Sequence, residues 1–287
     1  MKKQKGESLK NGKTWPNGRD DEMIYLYGLI PTAEVVKSPL PSIKGLDDDE
    51  RAYTIPINDV TAVVCRLNSD KYSEEILQQK MENDMDWLKE KAFHHHETLA
   101  ALYSGYTVIP LKFGTIYNSE ESLKETIAPK NNVLIHTFET LKRHEEWNMK
   151  VYCDDQKLMQ HVTDHNEVVE QKRQEIESLP KGRQYFEKKK LDKFISQQLE
   201  EEKYRLCKSV HDQLVQYATN EAVKKNWGKD MTGLQESMVW NSAFMLPKET
   251  IEEFLEEIKK SEPALLEKGL RVEVSGPWPP YHFSSIS

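Results

Sequence analysis

The longest continuous pattern in the sequence is helical and runs from residue 154 to about residue 226. Pro180 and Gly182 divide it into two pieces. In the second piece, apolar residues recur at helical spacing: Leu191, Ile195, Leu199, Leu206, Val210, Leu214 and Tyr217. A helix of this kind buries one apolar stripe and keeps its Lys-rich and Glu-rich faces in solvent. Other elements must therefore cover the stripe.

Short strand-like runs alternate with helix-like runs before this segment. Aromatic, branched or alternating apolar residues predict strands at 23–27, 52–57, 60–65, 107–114 and 147–153. Apolar residues at helical spacing predict helices at 73–105, 120–127 and 133–144. This order predicts an α+β domain at residues 23–153, with a ferredoxin-like layout as its simplest form.

The C-terminal part returns to mixed structure. A strand is predicted at 237–246, an amphipathic helix at 248–261 and a last strand at 270–274. Together with the long helical segment, these elements predict a second α+β domain at residues 154–287. Residues 1–22 have no apolar periodicity and are predicted to be a disordered tail. A chain of 287 residues fits two domains.

The composition argues against several protein classes. No apolar run approaches the roughly 20 residues that span a bilayer, and no apolar stretch follows the N-terminal lysines as in a secretory signal. Three cysteines far apart in the sequence suggest a reducing cytoplasm and form no CxxC metal motif. A net charge of -8 makes nucleic acid an unfavourable partner.

The triplet His94-His95-His96 is the first candidate for a metal site. On a helix, consecutive residues point about 100° apart, so the three rings cannot converge on one ion. The HExxH signature is incomplete, because Ala100 stands where the second histidine would be. Packed or hydrogen-bonded histidines are the favoured interpretation, and no metal ligand is predicted.

A second candidate is an anion site at Lys181-Gly182-Arg183. A helix start can hold a phosphate, but a helix break with flanking cations needs no ligand. The sequence has no GxGxxG, P-loop or GxSxG motif. We therefore predict no catalytic residue and no cofactor. A nucleotide-linked enzyme using Lys181 and Arg183 stays an alternative, as does a ferredoxin-like RNA-binding module with exposed aromatic residues on a basic sheet.

The most unusual segment is Gly276-Pro277-Trp278-Pro279-Pro280-Tyr281-His282-Phe283. Its prolines fix an extended backbone, and Trp278, Tyr281 and Phe283 project from it. Two interpretations remain open. The rings pack on the last strand of the chain and close the core, or they form an exposed contact for a partner, as Trp and Tyr do at binding hot spots.

Several motifs resemble the gas vesicle protein F/L family. They are Tyr25-Leu26-Tyr27-Gly28, Ile109-Pro110-Leu111-Lys112-Phe113-Gly114-Thr115, Glu146-Trp147-Asn148-Met149-Lys150-Val151 and the segment 276–283. The resemblance covers about residues 23–283. Lys112 departs from the family, which often has Arg there.

The resemblance implies a non-enzymatic role. Gas vesicles are gas-filled protein shells in the cytoplasm, built from a small and very hydrophobic wall protein. Family members are implicated in starting or supporting assembly and in contacting the wall protein, and some are described as minor shell components. The expected partners are thus the wall protein and other vesicle accessory proteins, with no membrane and no nucleic acid. The expected fold is a ferredoxin-like N-terminal domain followed by a second α+β domain.

Overall fold

The computed structural model describes residues 22–284, which form two compact units. The first unit contains the chain up to Thr98 together with Lys112–Asn131. The second contains Leu99–Leu111 and the chain from Asn132 onward. Of the predicted disordered tail, residues 1–21 lie outside the described residues, and Glu22 is the first residue of a strand.

The elements of the N-terminal half follow one another in short pieces. They are β1 (Glu22–Pro31), α1 (Thr32–Lys37), β2 (Tyr53–Ile57), β3 (Val60–Asn68), α2 (Ser69–Tyr72), α3 (Glu74–Asn83), α4 (Met85–Tyr103), β4 (Ile109–Pro110), β5 (Ile116–Tyr117) and α5 (Glu120–Ile127). Polar side chains start several of these helices. Asn68 caps α2, Ser73 caps α3, and Ser119 with Ser122 forms a capping box on α5.

The sheet of the first unit is antiparallel, with the order β2-β3-β1, and β5 also pairs with β1. Strand β1 is buried from Ile24 to Pro31, which explains its continuous run of aromatic and branched residues. A register shift between Leu26 and Gly28 marks a bulge at Tyr27.

The C-terminal half contains the longest helix and the second sheet. Its elements are α6 (Asn131–Arg143), β6 (His144–Cys153), α7 (Asp155–His165), α8 (Glu167–Glu177), α9 (Lys181–Val215), β7 (Asn220–Val223), α10 (Lys229–Thr232), β8 (Ser237–Pro247), α11 (Ile251–Glu267) and β9 (Leu270–Trp278). Asp154 caps α7 and Asn166 caps α8 through their side-chain oxygens.

The second sheet has the order β7-β8-β6-β9, and all of its pairs are antiparallel. Its buried face carries Met149 and Val151 of β6 and Phe244 of β8. These residues share one hydrophobic core with Leu214 of α9 and Phe254 of α11. The stripe on α9 is thus covered by this sheet and its helices, with its buried positions beginning at Leu199.

The α+β class predicted from the sequence is confirmed, with two antiparallel sheets. The ferredoxin-like layout and the domain limits 23–153 and 154–287 stay predictions. One assignment within them differs from the structure: the sequence grouped the strand at 147–153 with the N-terminal strands, whereas β6 pairs with β8 and β9. Local periodicity identifies a strand but carries no information about its distant partners.

Three local predictions were wrong. The helical pattern up to residue 226 ends at Val215, and β7 follows it as a four-residue edge strand. The predicted strand 107–114 contains only the two-residue β4. Val108 and Ile109 are apolar because they are buried. The predicted helix 73–105 is interrupted at Asp84, between α3 and α4.

No helix within residues 22–284 combines the length and the apolar character needed to cross a membrane.

Candidate partner-binding site

A buried carboxylate anchors the C-terminal segment to the second sheet. Glu146 of β6 is 0% exposed. The backbone N–H of His282 donates to its Oε2 at 2.9 Å, and Nδ1 of His282 lies 2.6 Å from its Oε1. A buried carboxylate without such partners is costly. This pair therefore fixes residue 282 against β6.

A glycine forms the second point of attachment. A Cβ at Gly276 would lie 2.7 Å from Cδ2 of Trp147, so the indole ring occupies the space that any larger residue would need. The peptide bond between Gly276 and Pro277 is cis. The β6–β9 register pairs Glu146 with Trp278. The aromatic segment is thus held at its start by Trp147 and near its end by Glu146.

The three candidate contact residues are all half-buried. Nε1 of Trp278 donates to Oγ of Ser275 at 3.0 Å. The backbone N–H of Tyr281 donates to the carbonyl of Pro279 at 2.7 Å, and the Phe283 ring lies 6.3 Å from the His282 ring. Both interpretations of the sequence thus have a structural counterpart: the segment packs on the sheet, and each ring keeps part of its surface exposed.

Burial shifts the pKa values of three side chains that also interact with the charge of Glu146: Tyr281, Tyr103 and Lys224. Burial, followed by the charge of Glu146, raises the pKa of Tyr281. Burial raises the pKa of Tyr103 to about 12, with Glu145 and Glu146 adding to the effect. Burial lowers the pKa of Lys224, which donates to Oδ1 of Asn148 at 2.8 Å, and Glu146 acts in the opposite direction. At neutral pH the tyrosines are therefore uncharged ring surfaces.

The sequence analysis missed a second exposed apolar group in this unit. Val223, Trp227 and Met231 are exposed in the segment that follows α9. Nζ of Lys150 lies 4.7 Å from the centroid of the Trp227 ring, a cation–π distance. The only local signal is the i, i+4 spacing of Trp227 and Met231 within an otherwise polar stretch.

Two histidines of the triplet, His94 and His95, pack against Tyr25 and Tyr27 in the first unit. Nδ1 of His95 lies 2.7 Å from the hydroxyl of Tyr25, and Nε2 of His94 lies 3.1 Å from the hydroxyl of Tyr27. The ring of His95 stacks on Tyr27 at 5.7 Å. Burial lowers the pKa of His94, with Lys91 adding to the effect. These two histidines are packed and hydrogen-bonded. Across residues 22–284, no group of three His, Cys, Asp or Glu side chains is placed to hold a metal ion.

The candidate anion site lies at the first turn of α9. Lys181 and Arg183 are both exposed, and the N–H groups of Arg183 and Gln184 donate to the carbonyl of Pro180. The RNA-binding alternative requires exposed aromatic residues on a basic sheet. Met149 and Val151 of β6 are buried in the core, so this face of the sheet offers no platform for stacked bases.

A family model described as "Gas vesicle synthesis protein GvpL/GvpF" matches residues 23–285. The chain belongs to the GvpL/GvpF family. Among curated GvpL/GvpF relatives, gas vesicle protein L of Streptomyces sp. is 24% identical over 268 residues, covering 93% of this chain and 94% of that protein. Gas vesicle protein F of Nostoc sp. is 24% identical over 270 residues, covering 92% and 98%.

A solved GvpF structure shares the fold. The crystal structure of GvpF from Anabaena sp. superposes with a TM-score of 0.67 at 22% identity, covering 93% of this chain and 99% of that one. In this GvpL/GvpF family member, two of the motifs that carried the resemblance touch each other, because Glu146 and Trp147 contact the segment 276–283. The family match confirms the sequence resemblance, and the contact shows that two of its motifs pack together in the fold.

Proposed function

We propose that this chain is a gas vesicle accessory protein. It supports or nucleates assembly by binding the hydrophobic wall protein and other vesicle proteins, it works in the cytoplasm and at the gas vesicle, and it catalyses no reaction. The family match over residues 23–285 supports the assignment to vesicle formation. As a minor component it could remain with the finished shell.

A hydrophobic wall protein needs an accessory protein of this kind. A wall monomer with a large apolar face aggregates unless another protein holds it or seeds its assembly. An accessory protein that presents apolar side chains must itself stay dispersed. The net charge of -8 serves this purpose, because like-charged molecules repel one another.

The observation that carries the proposal is the half-exposed aromatic segment. Trp278, Tyr281 and Phe283 stand on backbone that is fixed by Trp147 and Glu146. Rings already held in place lose little conformational entropy when a partner covers them. Large aromatic side chains in this position are typical hot spots, and an apolar wall protein is the matching partner.

Single-ring variants test this proposal better than truncation. Cutting the chain after Ser275 would remove His282 from the buried carboxylate of Glu146, so lost binding would be mixed with lost stability. The ring of Phe283 is half-buried, and its removal leaves the Glu146 contacts in place. Phe93, which is 61% exposed on α4, provides a matched control.

The measurement is capture of purified wall protein by the immobilised full chain. We expect Phe283→Ala to weaken capture by roughly tenfold, the effect of losing about 1.4 kcal/mol. Phe93→Ala should bind like the unmodified chain. Trp278→Ala should weaken capture in the same way. Equal capture by all three variants and the unmodified chain would reject the aromatic segment as the contact, and no capture by the unmodified chain would reject wall-protein binding.

A further inference from the structure

The N-terminal part of α9 contacts α8 on one side and keeps several large side chains exposed. The helix runs without a break from Lys181 to Val215, but its buried side chains begin only at Leu199. Tyr185 is 62% exposed and Phe186 is 67% exposed. Their ring centroids lie 5.7 Å apart in an edge-to-face arrangement. Two large aromatic rings side by side in solvent indicate a surface made for contact.

This helix end is also strongly basic. Residues 181–193, here called the basic tip, contain six cationic and two acidic side chains, a net charge of +4 within a chain of net charge -8. Nζ of Lys189 lies 5.1 Å from the centroid of the Tyr185 ring. Within residues 22–284, Lys188 and Lys189 have no acidic side chain within ion-pair distance. The tip therefore favours a partner with acidic groups around an apolar floor.

Such a surface exists on the same chain. A groove of about 410 Å³ runs along the start of α11, with the apolar side chains of Ile251 and Leu255 as its floor. Its rim carries Glu145, Glu252 and Glu256, with Lys248 and Lys259 at its edges. Helix α11 contains six glutamates and two lysines, a net charge of -4. We call this site the acidic groove.

The tip of a chain cannot fill its own groove. The groove lies beside the C-terminal end of α9, because Oγ1 of Thr250 donates to the carbonyl of Tyr217 at 2.9 Å. Tyr185 is separated from that end by the length of a continuous helix, about 45 Å at 1.5 Å per residue. Tip and groove can therefore meet only between two molecules.

We infer that the basic tip of one copy docks into the acidic groove of a second copy. The spacing of the two surfaces matches: Lys188 and Lys189 lie one turn from Tyr185, and Glu252 and Glu256 lie one turn apart along the groove. The ring of Tyr185 covers Ile251 and Leu255 while the ammonium groups meet the glutamates. The mass in solution distinguishes a reciprocal pair, in which each tip fills the groove of the other copy, from a head-to-tail contact that adds further copies.

The first test is the mass of the purified full chain in solution, measured by light scattering. At low salt we expect the mass to rise above 33.5 kDa with increasing concentration. High salt should lower it again, because exposed ion pairs are screened. A mass of 33.5 kDa at every concentration and salt level would overturn the inference.

Complementary charge reversal locates the contact. The double variants K188E/K189E and E252K/E256K should each stay monomeric alone, because like charges then face each other. A mixture of the two should regain the larger mass, because the glutamates introduced into one tip then meet the lysines introduced into the groove of the other copy. The control E121K/E125K, on the exposed surface of α5, should behave like the unmodified chain. Self-association that survives in K188E/K189E, or a mixture that stays monomeric, would contradict the docking.

A second variant tests how much the aromatic rings contribute to self-association when the charges are kept. In Y185S/F186S the cations are kept, and we expect at least a fivefold weaker association, with an unchanged thermal unfolding curve. The same residues could instead attract an anionic lipid surface. A chain that stays monomeric but binds vesicles containing anionic lipid through Lys188 and Lys189 would overturn the inference in favour of that occupant.

Discussion

Nδ1 of His282 lies 2.6 Å from Oε1 of Glu146, although the two residues are 136 positions apart in the sequence. With the backbone N–H of His282 bound to Oε2, this contact joins the last described residues to the middle of the second sheet. It turns a proline-rich segment into part of the folded unit. The aromatic rings of that segment are therefore displayed from a fixed frame.

Loss of the buried carboxylate should destabilise the protein. We expect Glu146→Ala to lower the free energy of unfolding by about 2–3 kcal/mol, because hydrogen bonds to a charged group are lost and a cavity remains. Chemical denaturation followed by circular dichroism gives the value. Glu139→Ala, an exposed glutamate on α6, should change it by less than about 0.5 kcal/mol. Equal losses of unfolding free energy in the two variants would show that Glu146 does not anchor the segment.

A methyl group at Gly276 should disturb the same region. Gly276→Ala places a Cβ within 2.7–2.9 Å of the Trp147 ring, so we expect a loss of about 1–3 kcal/mol in unfolding free energy. Gly105→Ala is the control, since no atom lies within 4 Å of its added Cβ. Thermal unfolding should show a lower midpoint for Gly276→Ala than for Gly105→Ala. An unchanged midpoint for Gly276→Ala would mean that the ring moves aside freely.

The tyrosine–histidine cluster should contribute to the stability of the first unit. Tyr25→Phe removes the hydroxyl that lies 2.7 Å from Nδ1 of His95 and accepts from the N–H of Gly114 at 3.4 Å. We expect a loss of about 1–2 kcal/mol in denaturant titrations. Tyr185→Phe removes a hydroxyl from an exposed ring and should have no measurable effect. Stability unchanged by Tyr25→Phe would show that this hydrogen bond contributes little.

A buried histidine should make stability fall in mild acid. Burial lowers the pKa of His211, and no atom in the described part of the chain is hydrogen-bonded to its Nδ1. The unfolded chain then takes up a proton near its ordinary pKa of 6.5 while the folded chain does not, so stability is retained above that pH and decreases below it.

His211→Phe removes this titration and keeps a ring between Trp240 and Phe244. We expect the variant to lose less unfolding free energy than the unmodified chain between about pH 7.5 and about pH 5.5. Parallel profiles for His211→Phe and the unmodified chain would assign the acid sensitivity to other groups.

Local patterns predicted the parts of the fold that depend on local chemistry. The buried run of β1, the alternation in β6 and the apolar positions of α11 each follow from which faces are covered. The edge strand β7 escaped prediction because its four residues, Asn220–Val223, are too few for a periodic signal, and the strand forms by pairing with β8.

The candidate site was only partly readable from the sequence. Trp278, Tyr281 and Phe283 stood out by residue type, but periodicity could not decide between packing and exposure, and the structure shows both for each ring. The pairing of Glu146 with His282 depends on a contact between distant positions, which one sequence does not reveal. The aromatic residues of the basic tip lay in a pattern that also describes an ordinary solvated helix.

The formation of vesicles in cells tests the central claim most directly. The measurement is the number of gas vesicles per cell, counted by electron microscopy, in a strain that carries the vesicle genes but lacks this one. We expect few or no vesicles, recovery with the unmodified gene and with Phe93→Ala, and clearly reduced recovery with Phe283→Ala at equal protein level. Normal vesicle numbers in the strain lacking the gene would contradict a role in assembly.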